Sequence, residues 1–149
     1  MYKTILVPLD GSKRAEAIVP HVEQLALKYG AKVIFLQVVQ PHATLSGVDA
    51  VPGEVYRKAY EQQQLEAQKY LEGMAGTFRE KGIATAAHIV SGRIIDQILS
   101  VAEREQIDLV AIASHGRTGL ARVFYGSIAA GILNRIDRPL LLVRSRNSE

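Results

Sequence analysis

The sequence predicts an α/β domain, a three-layer sandwich in which a five-stranded parallel sheet lies between helices. Three observations carry this expectation. Strand-length apolar bursts alternate down the chain with stretches whose apolar residues fall on one helical face. The bursts are near-continuous rather than alternating, as in central parallel strands covered on both faces. And 149 residues that are 48% apolar bury roughly 68–70% of their unfolded surface, enough for one sizeable core. A single domain over residues 1–149 is expected.

The elements follow in order. Ile5-Leu6-Val7 is the first strand. Ala15, Ile18, Val19, Val22, Leu25 and Ala26 share a helical face that stops at Gly30. Pro20 sits inside that pattern and is expected to bend the helix. Val33-Ile34-Phe35-Leu36 is the second strand, followed by a loop from Gln40 to about Pro52 that contains Pro41 and Gly47. A long charged helix then shows its stripe at Leu71, Met74, Ala75 and Phe78 before Gly82. Ala84 to Val90 is a weaker strand. Ile94, Ile95, Ile98, Leu99 and Ala102 form a third stripe, Leu109 to Ala113 a strand, Ile128, Ala129, Ile132, Leu133 and Ile136 a fourth stripe, and Leu140 to Val143 the last strand. Strands separated by helices pair in parallel through right-handed crossovers.

Composition removes several function classes. The chain has no cysteine, which excludes disulfides, thiolate metal sites and cysteine nucleophiles. A net charge of +3 is too slight to argue for nucleic-acid binding. No apolar run approaches the ~18–20 residues of a membrane span. The first burst is too short for a signal-peptide core, so a cytoplasmic location without membrane attachment is expected.

In open α/β sheets, ligands sit beyond the carboxyl ends of the strands, where the strand order reverses. Two loops compete for that place: Pro8-Leu9-Asp10-Gly11-Ser12, and Ser114-His115-Gly116-Arg117-Thr118-Gly119 running to Gly126-Ser127. In the second, Gly116 and Gly119 permit the positive φ from which backbone N–H groups converge on an anion, and Gly126-Ser127 opens a helix whose dipole favours phosphate. Six arginines (117, 122, 135, 138, 144 and 146) face only Asp137 and Glu149 beyond Ser114. The other reading of this stretch is a glycine-containing loop before a capping serine. Asp10 is either a turn aspartate, with Ser12 capping a helix from Lys13, or a carboxylate that accepts from a ribose or holds a metal beside phosphates. No GxxxxGK[ST] loop, GxGxxG turn or GxSxG elbow is present. His21, His42, His88 and His115 show no metal-ligand spacing.

These residues resemble the universal stress protein family over nearly the whole chain. Tyr2 to Ser12 is similar to the family's first strand and turn, and Phe35 to Val39 to its second strand. Ser114 to Gly119, Gly126-Ser127-Ile128-Ala129 and Arg138 to Val143 are similar to its closing third. Members that bind ATP carry Gly, two residues, Gly, nine residues, then Gly and Ser or Thr. Gly116, Gly126 and Ser127 fit that spacing, and Ala113 stands where the first glycine would.

The resemblance implies sheet order 3-2-1-4-5, the adenine nucleotide alpha hydrolase-like arrangement. It implies that Pro8 and Asp10 lie beside the nucleoside, with Asp10 on the ribose, and that the Val38 backbone recognises adenine. Ala113, Ser114, His115, Gly116, Arg117, Thr118 and Gly119 would wrap the phosphates, and Gly126, Ser127, Ile128 and Ala129 would hold them at a helix start. The expected function is an ATP-binding stress-response or signalling factor, with Mg²⁺ shielding the phosphates, no catalytic residues and at most slow ATP turnover. The alternative is a nucleotide-free, dimeric interaction or protective protein of the same family. A homodimer through Pro139 to Val143 is expected, because an unbroken apolar edge strand invites pairing.

Overall fold

The computed structural model describes residues 1–40, 53–115 and 127–145. Five strands, β1 (Thr4–Pro8), β2 (Lys32–Val39), β3 (Thr85–Ser91), β4 (Leu109–His115) and β5 (Leu140–Ser145), alternate with four helices, α1 (Val19–Tyr29), α2 (Gly53–Glu80), α3 (Ile94–Arg104) and α4 (Ser127–Arg135). The sheet is parallel throughout, in the order β3-β2-β1-β4-β5. The order expected from the resemblance is therefore the observed one.

Alternation along the strands divides the core into two layers. Ile5, Val7, Val33 and Phe35 face α1 and α2, where Phe35 meets Phe78 edge to face with centroids 5.0 Å apart. Leu6, Ile34, Leu36 and Ile112 face α3 and α4 and pack with Ile98, Val101 and Ile132. Central strands buried on both sides must be apolar at every position, which is why their runs stood out in the sequence.

The first helical segment is divided rather than bent. Ala15–Ile18 forms a 3-10 turn, and α1 begins at Val19 with Pro20 in its first turn. Proline's missing N–H costs nothing there, since first-turn donors have no partner within the helix. The helical turn starts at Ala15, with Arg14 at its N-cap position, and not at Lys13 as in the turn-aspartate reading; Ser12 Oγ still accepts from the Ala15 N–H at 3.2 Å. At its other end α1 closes on Gly30 at φ 65°, whose N–H donates to the Ala26 carbonyl.

Two side chains fix how elements meet at the amino edge of the sheet. Asp108 Oδ2 accepts from the Lys3 and Thr4 N–H groups at 2.8 and 2.9 Å, joining the start of β4 to the start of β1. Arg138 donates from Nη1 to the Ala102 carbonyl and to the Ile107 carbonyl at 3.4 Å, capping the end of α3 with positive charge.

No helix among the described residues is long and apolar enough to cross a membrane.

Candidate functional site

At the carboxyl edge of the sheet, β1 and β4 are neighbours whose connections lead to opposite sides, so the chain leaves a crevice between them. The turn after β1 forms one wall. Asp10 Oδ1 accepts from the Ser12 N–H at 2.9 Å and from the Ser12 hydroxyl at 2.6 Å. This side-chain-to-backbone turn, with Gly11 at φ 85°, holds the carboxylate at the crevice mouth.

The crevice holds about 630 Å³ of empty space, counting its open mouth. Its wall contains Pro8, Asp10, Val38, Ala113, Ser114, Ile128 and Ala129, seven of the residues singled out in the sequence, drawn from β1, β2, β4 and α4. Ser127 is exposed at the first turn of α4, and His115 ends β4. Gly116, Arg117, Thr118, Gly119 and Gly126 lie outside the described residues, as does the loop over 41–52.

The lining is mostly aliphatic. Leu9, Ala15, Leu36, Ile94, Ile98 and Ile112 complete it; Leu9 stood in the first candidate turn, and sequence reasoning missed the other five as site residues. Ile94 and Ile98 read as core because they belong to a helical stripe that continues into the core. Only their position in the first turns of α3 turns them towards the crevice.

Against this apolar wall stands one unsatisfied polar group. Ser114 is 2% exposed, and its Oγ has no hydrogen-bond partner among the described residues. A buried hydroxyl without a partner costs about 1–3 kcal/mol, which a ligand oxygen in the crevice would recover. The surroundings fit a flat apolar moiety carrying a polar group at the Ser114 end.

Part of the arginine excess has structural work instead. Arg135 Nη1 pairs with Asp96 at 2.8 Å, tying α4 to α3, and Arg138 caps α3. Neither is a phosphate ligand in this arrangement.

A second, more polar cavity opens on the other face of β2, between its end and α2. Asp10 and Val38 border both spaces. Here Tyr70 of α2 donates its hydroxyl to Glu16 Oε2 at 3.0 Å. Burial first, then the Glu16 hydrogen bond and the charges of Glu16 and Asp10, push the Tyr70 phenol well above its ordinary value.

The model of the Universal stress protein family matches residues 1–144. Universal stress protein MJ0577 of Methanocaldococcus jannaschii is 26% identical over 159 residues, covering 99% of this chain and 98% of that one. Its solved structure, described as hypothetical protein MJ0577, superposes with a TM-score of 0.85 at 28% identity, covering 99% of each chain. Two further solved structures share the fold. One is a universal stress protein in complex with cAMP, with TM-score 0.63 and 21% identity, covering 97% of this chain and 98% of that one. The other is the universal stress protein from Archaeoglobus fulgidus in complex with dAMP, with TM-score 0.67 and 19% identity, covering 95% and 98%.

Proposed function

The chain belongs to the universal stress protein family, and from that premise we propose that it binds an adenine nucleotide in the crevice between β1 and β4. In this reading ATP, with Mg²⁺ on its phosphates, is the ligand of a cytoplasmic stress-response or signalling factor. The Ser114 hydroxyl, without a partner among the described residues in a mostly aliphatic wall, is the observation that carries the reading. Adenine lies against Leu36, Val38 and Ile98 with its edge on the Val38 backbone, the ribose meets Asp10 beside Pro8, and the phosphates run past Ala113 and Ser114 to the start of α4. The cAMP and dAMP bound by the two related proteins support the choice of base. The protein works as a nucleotide-dependent binding partner, with slow turnover at most.

The phosphate assignment extends to His115, Gly116, Arg117, Thr118, Gly119, Gly126, Ser127, Ile128 and Ala129 on the strength of the family motif. Calorimetric titration of ATP into nucleotide-stripped protein tests it. Low-micromolar or tighter binding is expected, and Gly126→Asp is expected to abolish it with the circular dichroism spectrum unchanged. A variant that binds ATP as the parent does overturns the phosphate assignment. Failure of the parent itself to bind transfers the reading to a nucleotide-free interaction protein, for which Ala113 at the motif's first glycine position is the favouring feature. Both readings include a homodimer through Pro139 to Val143.

A further inference from the structure

The second cavity has a chemistry that the nucleotide does not use. Successive residues of β2 point to opposite faces. Val38 packs on the α3 side, which turns Gln37 towards α2. There the cavity holds about 900 Å³ of empty space, counting its mouth. Its wall combines the carboxylates of Asp10 and Glu66 with the amides of Gln37, Gln40 and Gln63 and the ring of Tyr70. Among the described residues of that wall there is no Lys, Arg or His.

Three observations decide what such a space accepts. Gln37 Oε1 is buried and has no hydrogen-bond partner among the described residues, so an acceptor is left for a donor. The charges of Glu16 and Asp10 both act to hold the proton on Tyr70, which places the wall in a negative potential. The whole chain carries +3, so attraction of cations here is local rather than a property of the overall charge. The described wall therefore repels an anion and favours a donor-rich cation. A dehydrated metal ion is the poorer fit, because no group of three or more His, Asp or Glu able to hold one occurs among the described residues. Dispersed carbonyl and carboxylate oxygens around a wide space suit ammonium groups on a flexible chain.

We propose that this cavity binds an aliphatic di- or polyamine, one ammonium at Asp10 and another at Glu66, with Gln37 accepting from the chain between them. The site goes beyond the nucleotide reading and stands without it, although Asp10 borders both spaces.

The test is calorimetric titration of putrescine and spermidine into the nucleotide-free full chain, with butanediol and Mg²⁺ as probes of the competing chemistries. Both amines are expected to bind, spermidine more tightly. Glu66→Gln is expected to weaken spermidine by about tenfold and to leave ATP affinity, titrated separately, within twofold. Gln37→Leu should weaken spermidine as well, with the fold checked by circular dichroism. Absence of amine binding up to the millimolar range overturns the proposal, as does equal binding by Glu66→Gln. Butanediol binding as well as putrescine would make the cavity a polyol site. Mg²⁺ blocking spermidine in the parent and losing affinity in Glu66→Gln would make it a metal site. The nucleotide reading fails separately, if ATP does not bind the parent protein.

Discussion

Asp10 Oδ1 receives both hydrogen bonds that Ser12 offers, from its N–H at 2.9 Å and its hydroxyl at 2.6 Å. The turn aspartate and the ligand-facing carboxylate, posed as alternatives by the sequence, are thus compatible in one residue. One oxygen builds the turn, and a ribose hydroxyl in the crevice would meet the other, Oδ2. Asp10→Asn keeps the carbonyl oxygen for Ser12 and replaces Oδ2 by a donor. ATP affinity should fall about tenfold, and the loss should shrink for the deoxyribose nucleotide if the 2′-hydroxyl is the partner. Calorimetry with ATP and dATP checks this; unchanged affinity for both would remove Asp10 from the site.

Ala113 is partly buried near the end of β4, in register with Val143, and lines the crevice. As a strand residue it has no need of a glycine's positive φ. Ala113→Gly should therefore change ATP affinity by less than tenfold, under ~1.4 kcal/mol. A much larger gain would mean that the alanine methyl obstructs the phosphates, and would favour the nucleotide-free reading.

Asp108 holds two backbone donors of the first strand with a single oxygen. Asp108→Asn can present its carbonyl oxygen at the same place, whereas Asp108→Ala leaves the Lys3 and Thr4 N–H groups without this partner. The alanine variant should lose about 1–2 kcal/mol of stability and the asparagine variant clearly less. Urea denaturation compares them; equal losses would mean that the charge, and not the hydrogen bonds, matters.

Tyr70 gives a pH dependence whose sign can be worked out. Its phenol is raised in the folded chain above the ordinary value of 10.0, so above that pH the unfolded chain has released a proton that the native state keeps. The unfolded state then binds fewer protons, and stability falls as pH rises from about 10 towards the higher native value. Denaturation midpoints should decline over that window in the parent and decline less in Tyr70→Phe. Parallel slopes would show that Tyr70 does not carry the effect.

What could be read from the sequence follows burial. β1 and β2 stand out because Ile5 to Val7 and Val33 to Leu36 are buried on both faces. β3, at the sheet edge with residues 85–90 only partly buried, is fainter. The stripe of α2 is clear from Leu71 to Phe78, where it packs on the sheet, and weak near Gly53. This 28-residue helix, about 42 Å long, outruns strands of at most eight residues, so only part of it needs an apolar face against the sheet. The crevice between β1 and β4 was partly legible, because turn residues and glycine spacing mark strand ends. The second cavity, against α2, was not. Gln37 lies inside an apolar run, and Tyr70 meets Glu16 across 54 positions, a pairing no local pattern encodes.

β5 lies at the sheet edge. Leu141 and Val143 pack on the α1 and α2 layer and Leu140 and Leu142 on the other, so both faces are covered while the outer flank keeps its backbone groups. The register says which groups these are. The Val110 N–H donates to the Pro139 carbonyl at 3.0 Å, and in a parallel ladder the inward donors then fall on Leu141 and Val143. The Leu142 N–H then points outward, where a second copy would pair. Leu142→Pro removes that donor and leaves the β4 ladder intact, whereas Leu142→Ala loses similar packing but keeps the N–H. Sedimentation should show a dimer for the parent and for Leu142→Ala, and a folded monomer for Leu142→Pro. A monomeric parent at tens of micromolar would sink the idea, and a proline variant that stayed dimeric would exclude this edge as the interface. The apolar run ending only at Arg144 is what argues for the dimer, since monomers protect such edges with charge or a mid-strand proline.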